Sequence, residues 1–99
     1  YPDFAHQVAY DIENNISNVG ILICGSGNGV AMTANKHKNV RAALCWNVQI
    51  ADLAKQHNNA NIICIPARFI SKEEALKIVK SFIESDFEGG RHERRVKKI

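Results

Sequence analysis

Proline and tryptophan are scarce in this chain, with two residues and one residue among ninety-nine, and aromatic residues make up only 7%. So little proline and glycine excludes collagen-like and low-complexity architectures. So few aromatics, none of them interleaved with the basic C-terminal segment, leave no stacking platform for a nucleic acid, and no nucleic-acid partner is expected. Long apolar runs are missing too. The longest, Val19 to Cys24, is six residues, far short of the roughly 20 that span a bilayer. No membrane association is expected, and no basic stretch followed by an apolar one marks a signal peptide, so the expected compartment is cytoplasmic. The three cysteines, Cys24, Cys45 and Cys64, are odd in number and form no C-x-x-C pair, and no histidine stands at zinc-finger spacing. A disulfide framework and structural zinc are therefore not expected, and the default role of each thiol is that of a small hydrophobe in a reduced protein.

What is present is ordinary for a globular chain: 45% apolar and 23% charged residues, in a length that allows one domain, 1–99. The net charge of +3 is unevenly placed. Residues 91–99 carry a balance of +4 and the first ninety a balance of −1. A basic patch confined to one short segment fits a local anionic partner such as a phosphate group, or else a solvated tail.

Phe4, Val8 and Ile12 recur at helical spacing behind Pro2, which predicts a helix over 2–15. Residues 19–24 run apolar without alternation, the pattern of a strand covered on both faces. A helix from 28 to about 37, a strand over 41–46, a helix over 48–57 with Val48, Ala51, Leu53 and Ala54 inward, and a strand over 61–65 halted at Pro66 follow. Ser71-Lys72-Glu73-Glu74 has the capping-box form, with Ser71 receiving the N3 amide and Glu74 reaching back. The helix it opens is expected to bury Ala75, Leu76, Val79, Phe82 and Ile83. Gly89-Gly90 breaks the chain before a short helix from about Arg91. Strands alternating with helices predict an α/β fold, a Rossmann-like three-layer αβα sandwich on a parallel sheet. Three strands are few for that architecture, where five or six are common, so an N-terminal part or a partner chain is expected to complete the sheet.

Cys24-Gly25-Ser26-Gly27-Asn28-Gly29 joins the first predicted strand to a helix, at the carboxyl edge where open α/β sheets bind ligands. Alternate glycines allow close backbone approach and inward amides, suited to an anion or a developing oxyanion. Neither the dinucleotide fingerprint nor the Walker pattern is met, since Val30 replaces the third glycine and no Lys-Ser or Lys-Thr pair follows. From spacing alone, an anion loop and a plain tight turn both remain. Cys24 stands where a helix dipole favours thiolate, as a base or nucleophile, or it is a packed core thiol. His57 is a helix-end cap or a functional group. Arg91 and Arg95 share a helical face, suiting a phosphate or a surface salt-bridge network.

Gly20 to Gly29, Ala34-Asn35-Lys36, Arg41 to Cys45, His57-Asn58, Ala60-Asn61, Phe87 to His92 and Arg95-Val96 together resemble the type B ribose-5-phosphate isomerases, a sugar-phosphate isomerase family that also includes galactose-6-phosphate isomerase subunits. The resemblance runs from Tyr1 to Ile99. It implies interconversion of ribose 5-phosphate and ribulose 5-phosphate through an enediol(ate), with neither metal nor organic cofactor. It also implies Cys24 as the base acting at C2, assisted by Ser26, with the amides of Gly25, Gly27, Asn28 and Gly29 holding the oxyanion. His57 would open the furanose ring, Asn58 contact the sugar, and Arg91, Arg95, His92 and Arg68 line the site, the first two on phosphate. Family members that lack the cysteine carry a glutamate base where this chain has Val30, which points within the family to Cys24. Members of the family in general also begin with a strand bearing an Asp-His pair, a helix and a second strand, for which this sequence has no counterpart. Alternatives are a hexose 6-phosphate isomerase, for galactose or allose 6-phosphate, and a non-catalytic phosphate-binding module. Cys24 ends a strand while His57 ends the return helix, so the two are expected at opposite sheet edges. If both touch one sugar, the active site lies at a subunit interface of a homodimer or homotetramer.

Overall fold

Pro2 has no amide hydrogen to leave unpaired, and it occupies the first turn of α1 (Pro2–Glu13). The computed structural model describes residues 1–99 and adds β1 (Gly20–Cys24), α2 (Asn28–Ala34), β2 (Ala42–Leu44), α3 (Val48–Asn58), β3 (Ile62–Pro66), α4 (Lys72–Glu84) and α5 (Arg91–Val96). The three strands are parallel and ordered β1-β3-β2. Gly20 and Ala42 both lie opposite Ile62, and Cys24 lies opposite Pro66. β3 is central, and every one of its residues is buried. Ile62 and Cys64 face a core with Ala5, Ala9 and Ile12 of α1 and Val30 and Ala34 of α2, while Ile63 and Ile65 face Ala51 and Ala54 of α3 and Ile78 and Phe82 of α4. Burying each of these isoleucines contributes roughly 1.5–3 kcal/mol, which makes β3 the spine of both layers. The result is the expected three-layer α/β arrangement. None of its helices is long and apolar enough to cross a membrane.

Side-chain amides close what the short strands leave open. Asn35 donates Nδ2 to Ala42 O at 2.9 Å and accepts from Ala42 N–H at 2.8 Å, standing in for a neighbouring strand at the free edge of β2. Asn61 accepts from Arg41 N–H and donates to Asn39 O, each at 2.8 Å, so that β2 starts at Ala42, one residue later than the sequence pattern predicts, and it ends at Leu44, two residues earlier. Asp52 of α3 accepts from the hydroxyls of Ser81 and Ser85, locking α3 to α4.

Several expectations about packing are corrected. Only Leu22 of β1 is buried among its large residues. Ile21 and Ile23 are 41% and 67% exposed, because β1 is an edge strand and α3 and α4 lie over its neighbours. On α1 the small residues Ala5 and Ala9 make the close contact with Ile12, and Phe4 is exposed. On α3 the alanines are inside and Val48 and Leu53 are exposed. The buried face of α4 centres on Ile78 and Phe82, flanked by Ala75 and Val79, with Leu76 and Ile83 exposed. Ser71 does accept from Glu74 N–H, at 3.1 Å, but the Glu74 carboxylate returns to the Ser71 hydroxyl at 3.4 Å and not to its amide. α1 stops at Glu13, and Asn15 has a positive φ of 58°; α2 stops at Ala34.

Candidate active site

The parallel ladder carries the chain to Cys24 and then releases it into a turn that only glycine fits at its centre. Gly27 has φ 78°, and a Cβ there would lie 2.5 Å from Leu44 Cδ1. Gly29 meets the Tyr1 ring, where a Cβ would lie 2.4 Å from Oη. The segment after β3 packs on the same turn: Ala67 N–H donates to Cys24 O at 2.8 Å and Arg68 N–H to Gly25 O at 3.0 Å. The Arg68 side chain runs along the loop, its Nε 3.1 Å from where a Gly25 Cβ would be. Ser26 Oγ accepts from Asn28 N–H at 3.3 Å. The amides of Gly25, Ser26 and Gly27 donate to no other group of the chain. Three unengaged donors thus follow Cys24 along the loop, with the Arg68 guanidinium beside the first of them, and Ser26 and Asn28 line a cavity of about 430 Å³ with Trp46 and Phe69. Of the three thiols, Cys24 alone is partly exposed. Burial pushes the Cys45 thiol up to about 11, and burial reinforced by Cys45 and Cys24 pushes the Cys64 thiol up to about 12. Val30 points into the α1–α2 core, away from the loop.

A second group assembles at the other edge of the sheet. The left-handed Asn59 stops α3 after His57-Asn58 and turns the chain toward the start of β3. The His57 ring stacks on that of His92 of α5, centroids 4.1 Å apart and planes 8° from parallel. Glu88 Oε1 lies 3.7 Å from His57 Nε2 and 3.5 Å from His92 Nε2. The His92 side chain is only 10% exposed and that of His57 37%. Burial holds the His92 ring below the usual imidazole range, reinforced by His57 and Arg91. Arg91 and Arg95 are exposed on the same helix, and neither enters a salt bridge; Glu93 of α5 pairs with Lys97 just beyond it. The structure therefore disfavours the salt-bridge network as the reason for the two arginines. Arg95 lines a cavity with Arg94, Lys97 and Lys98 and no acidic group. Asn58 is exposed on a shallow cavity shared with Arg41. The donor atoms of His57, Glu88 and His92 lie within 4.8 Å of one another. Two stacked rings direct their lone pairs along parallel lines, so this cluster is not shaped to converge on a metal ion.

Cys24, Ser26, Gly25, Gly27, Asn28, Gly29 and Arg68 thus share the carboxyl edge. His57, Asn58, Arg91, His92 and Arg95 share the amino edge. The four steps from Gly20 to Cys24 separate the two edges by about 13 Å at roughly 3.3 Å per residue. Within one chain the structure does not bring them together. A cavity of about 560 Å³ at the amino edge is lined by His37, Lys38, Arg41 and Lys97 and by no residue of either group. A further histidine chain, Glu13–His37–His6, ties α1 to the loop after α2 and reaches neither group. The chemistry of the sequence does not single out Glu88; its only local signal is the four-residue spacing to His92, since its other partner lies 31 residues away.

A protein family described as ribose/galactose isomerase matches residues 1–99. The chain is 52% identical to a "Probable ribose-5-phosphate isomerase B" of Mycoplasma genitalium, over 100% of this chain and 66% of that protein. It is 39% identical to a "D-erythrulose-4-phosphate isomerase" of Pectobacterium atrosepticum, over 100% of this chain and 65% of that one. Among solved structures, ribose-5-phosphate isomerase B of Mycoplasma genitalium with bound ribulose-5-phosphate superposes with a TM-score of 0.96 at 52% identity, covering 99% of this chain and 65% of the other. The chain spans about two thirds of the length of the relatives it matches. Matched along its whole length, and carrying a thiol, a glycine loop and a histidine–arginine cluster on one α/β frame, the chain belongs to the ribose/galactose isomerase family.

Proposed function

We propose that the chain is the larger part of a cytoplasmic aldose–ketose isomerase that interconverts D-ribose 5-phosphate and D-ribulose 5-phosphate through an enediol(ate). The observation that carries this reading is the accessible Cys24 thiol beside the three unengaged amides of Gly25, Ser26 and Gly27. Moving a proton between C2 and C1 requires one base near both carbons and donors for the oxygen that becomes negative. Cys24 is the base, Ser26 assists it, and the loop through Gly29 takes the oxyanion. Arg68 flanks the same loop at Gly25. His57 opens the furanose ring, Asn58 contacts the sugar, and Arg91 and Arg95, with His92 beside them, bind the phosphate.

Because the two residue groups occupy opposite sheet edges, we infer that His57, Asn58 and the arginines serve the Cys24 of a second subunit, so that a two-fold homodimer holds two composite sites. The bare Ile21 and Ile23 on the open edge of β1 further support a larger sheet in the whole protein, of which residues 1–99 form the C-terminal portion of one domain. The relatives' names supply the competing substrates, a five-carbon and a four-carbon sugar phosphate. Turnover by the full-length protein of ribose 5-phosphate, erythrulose 4-phosphate, galactose 6-phosphate and allose 6-phosphate tests the reading. Ribose 5-phosphate should be preferred in kcat/KM. Preference for another sugar would reassign the substrate, and binding without turnover of any would leave a phosphate-binding module.

A further inference from the structure

Glu88 is the only carboxylate within ion-pair range of the stacked imidazoles, and one of its oxygens faces both. Its amide donates to Gln56 O at 3.0 Å, tying the loop to α3 one residue before His57. Gly89 and Gly90 then take positive φ values of 71° and 56°, a reversal that brings His92 back to the same carboxylate four residues on. Apart from burial, the groups bearing on His92 are His57 of α3, Arg91 and Arg95 of α5, and Glu88 of the loop, and of these only Glu88 favours the protonated ring. Lys55, the other basic group in the last turn of α3, lies over the Phe82 ring at 5.1 Å.

We propose that Glu88 is a positioning residue for His57: its carboxylate holds that ring in the Nε2–H tautomer against the His92 stack, leaves Nδ1 as the acceptor that meets a bound sugar, and stabilises the imidazolium formed there. The proposal rests on the isomerase reading above. In the ring-opening step the anomeric O1–H proton passes to Nδ1 of His57, and the O–H electron pair becomes the π bond of C1=O. The C1–O4 electron pair stays on O4, which takes a proton from water. A carboxylate behind a histidine base performs these two tasks generally, fixing one tautomer and opposing the new charge. At 3.5 and 3.7 Å the carboxylate oxygen stands at the outer limit of hydrogen-bond range or just beyond it in the free protein, as acid–base contacts commonly do before substrate binds.

Two measurements on the assembled full-length protein test this. In long-range 1H–15N spectra His57 should carry its proton on Nε2, Glu88→Gln should give a mixed or Nδ1–H tautomer with His92 titrating at still lower pH, and Glu88→Asp should restore part of the original tautomer. The second measurement uses the difference between the two sugars. Ribulose 5-phosphate cannot close a furanose, because its C5 oxygen carries the phosphate, so exchange of its C1 hydrogen in D2O needs no ring chemistry. Ribose 5-phosphate is a furanose. Glu88→Gln should slow ribose 5-phosphate turnover at least about tenfold, part of the 10²–10⁴ that a positioned acid–base group contributes, and should leave C1 exchange within about threefold. An unchanged His57 tautomer in Glu88→Gln, or equal losses in both reactions, would overturn the positioning role. Wild-type protein with neither turnover nor exchange would sink the isomerase reading instead, and the tautomer spectra would then decide for or against Glu88 alone.

Discussion

Cys24, Cys45 and Cys64 look alike in sequence, each ending or filling an apolar run, yet the fold gives them different chemistry. Cys45 and Cys64 are fully buried, whereas Cys24 opens on the glycine loop. Iodoacetamide should therefore modify one thiol in the native protein, Cys24, and all three after denaturation, as mass spectrometry of the labelled peptides would record. Cys24→Ala should abolish turnover with the fold intact. Cys45→Ala and Cys64→Ala should keep activity and cost about 0.5–3 kcal/mol of packing. Stability should also follow the buried pair at high pH. Their ionisation is pushed up from 9.0 to about 11 and about 12, so the neutral thiols contribute fully below pH 9. Above it the unfolded chain loses these protons first, and stability falls as pH climbs toward 11–12, by up to about 1.4 kcal/mol per pH unit for each thiol. Urea titrations across that range should show the decline, and Cys64→Ala should flatten it.

At the scale of elements, the turns carry most of the specification. Gly27→Ala would place a methyl group against Leu44 at a positive φ, and should cost about 1–3 kcal/mol while displacing the free amides, visible as a loss of kcat beyond the loss of stability. Ser71 caps α4 and Asn47 caps α3, accepting from Ile50 N–H at 2.8 Å; either residue changed to Ala should cost about 1 kcal/mol in chemical denaturation. These local signals are what made the elements legible: Pro2 at a first turn, Ser71 three residues before Glu74, Gly89-Gly90 before α5. Which face each helix buries was less legible. Phe4, Leu76 and Ile83 fit an apolar stripe as well as Ala5, Ile78 and Phe82 do, and only the position of a neighbouring layer decides between them. The covered strand expected at 19–24 failed for the same reason, since an edge position is a property of the sheet and not of the run. The Cys24 loop was legible because its residues are contiguous. The His57–Glu88–His92 cluster was not, because it joins segments 31 residues apart.

For the whole molecule, the separation of the two residue groups governs the account. In the full-length protein Ile23→Asp should destabilise the fold by several kcal/mol, because we take this bare face to be covered there, whereas an open surface would tolerate it within about 0.5 kcal/mol. The arginines of α5 should act on the neighbouring subunit's substrate. Arg91→Ala or Arg95→Ala should weaken sugar-phosphate binding about ten- to a hundredfold, from the roughly 1.5–3 kcal/mol of a charge-assisted bond, and Lys should rescue only in part. Unchanged KM and unchanged inhibition by inorganic phosphate in both variants would remove them from the site. The most direct measurement of the composite site mixes two inactive full-length variants, Cys24→Ala and His57→Ala, under conditions that exchange subunits. Each mixed dimer then holds one site with both native residues and one with neither, so an equal mixture should regain about a quarter of the wild-type sites and a matching fraction of the activity. Verified mixed dimers that stay inactive would contradict the account, placing both residues in one chain's site or removing His57 from the chemistry.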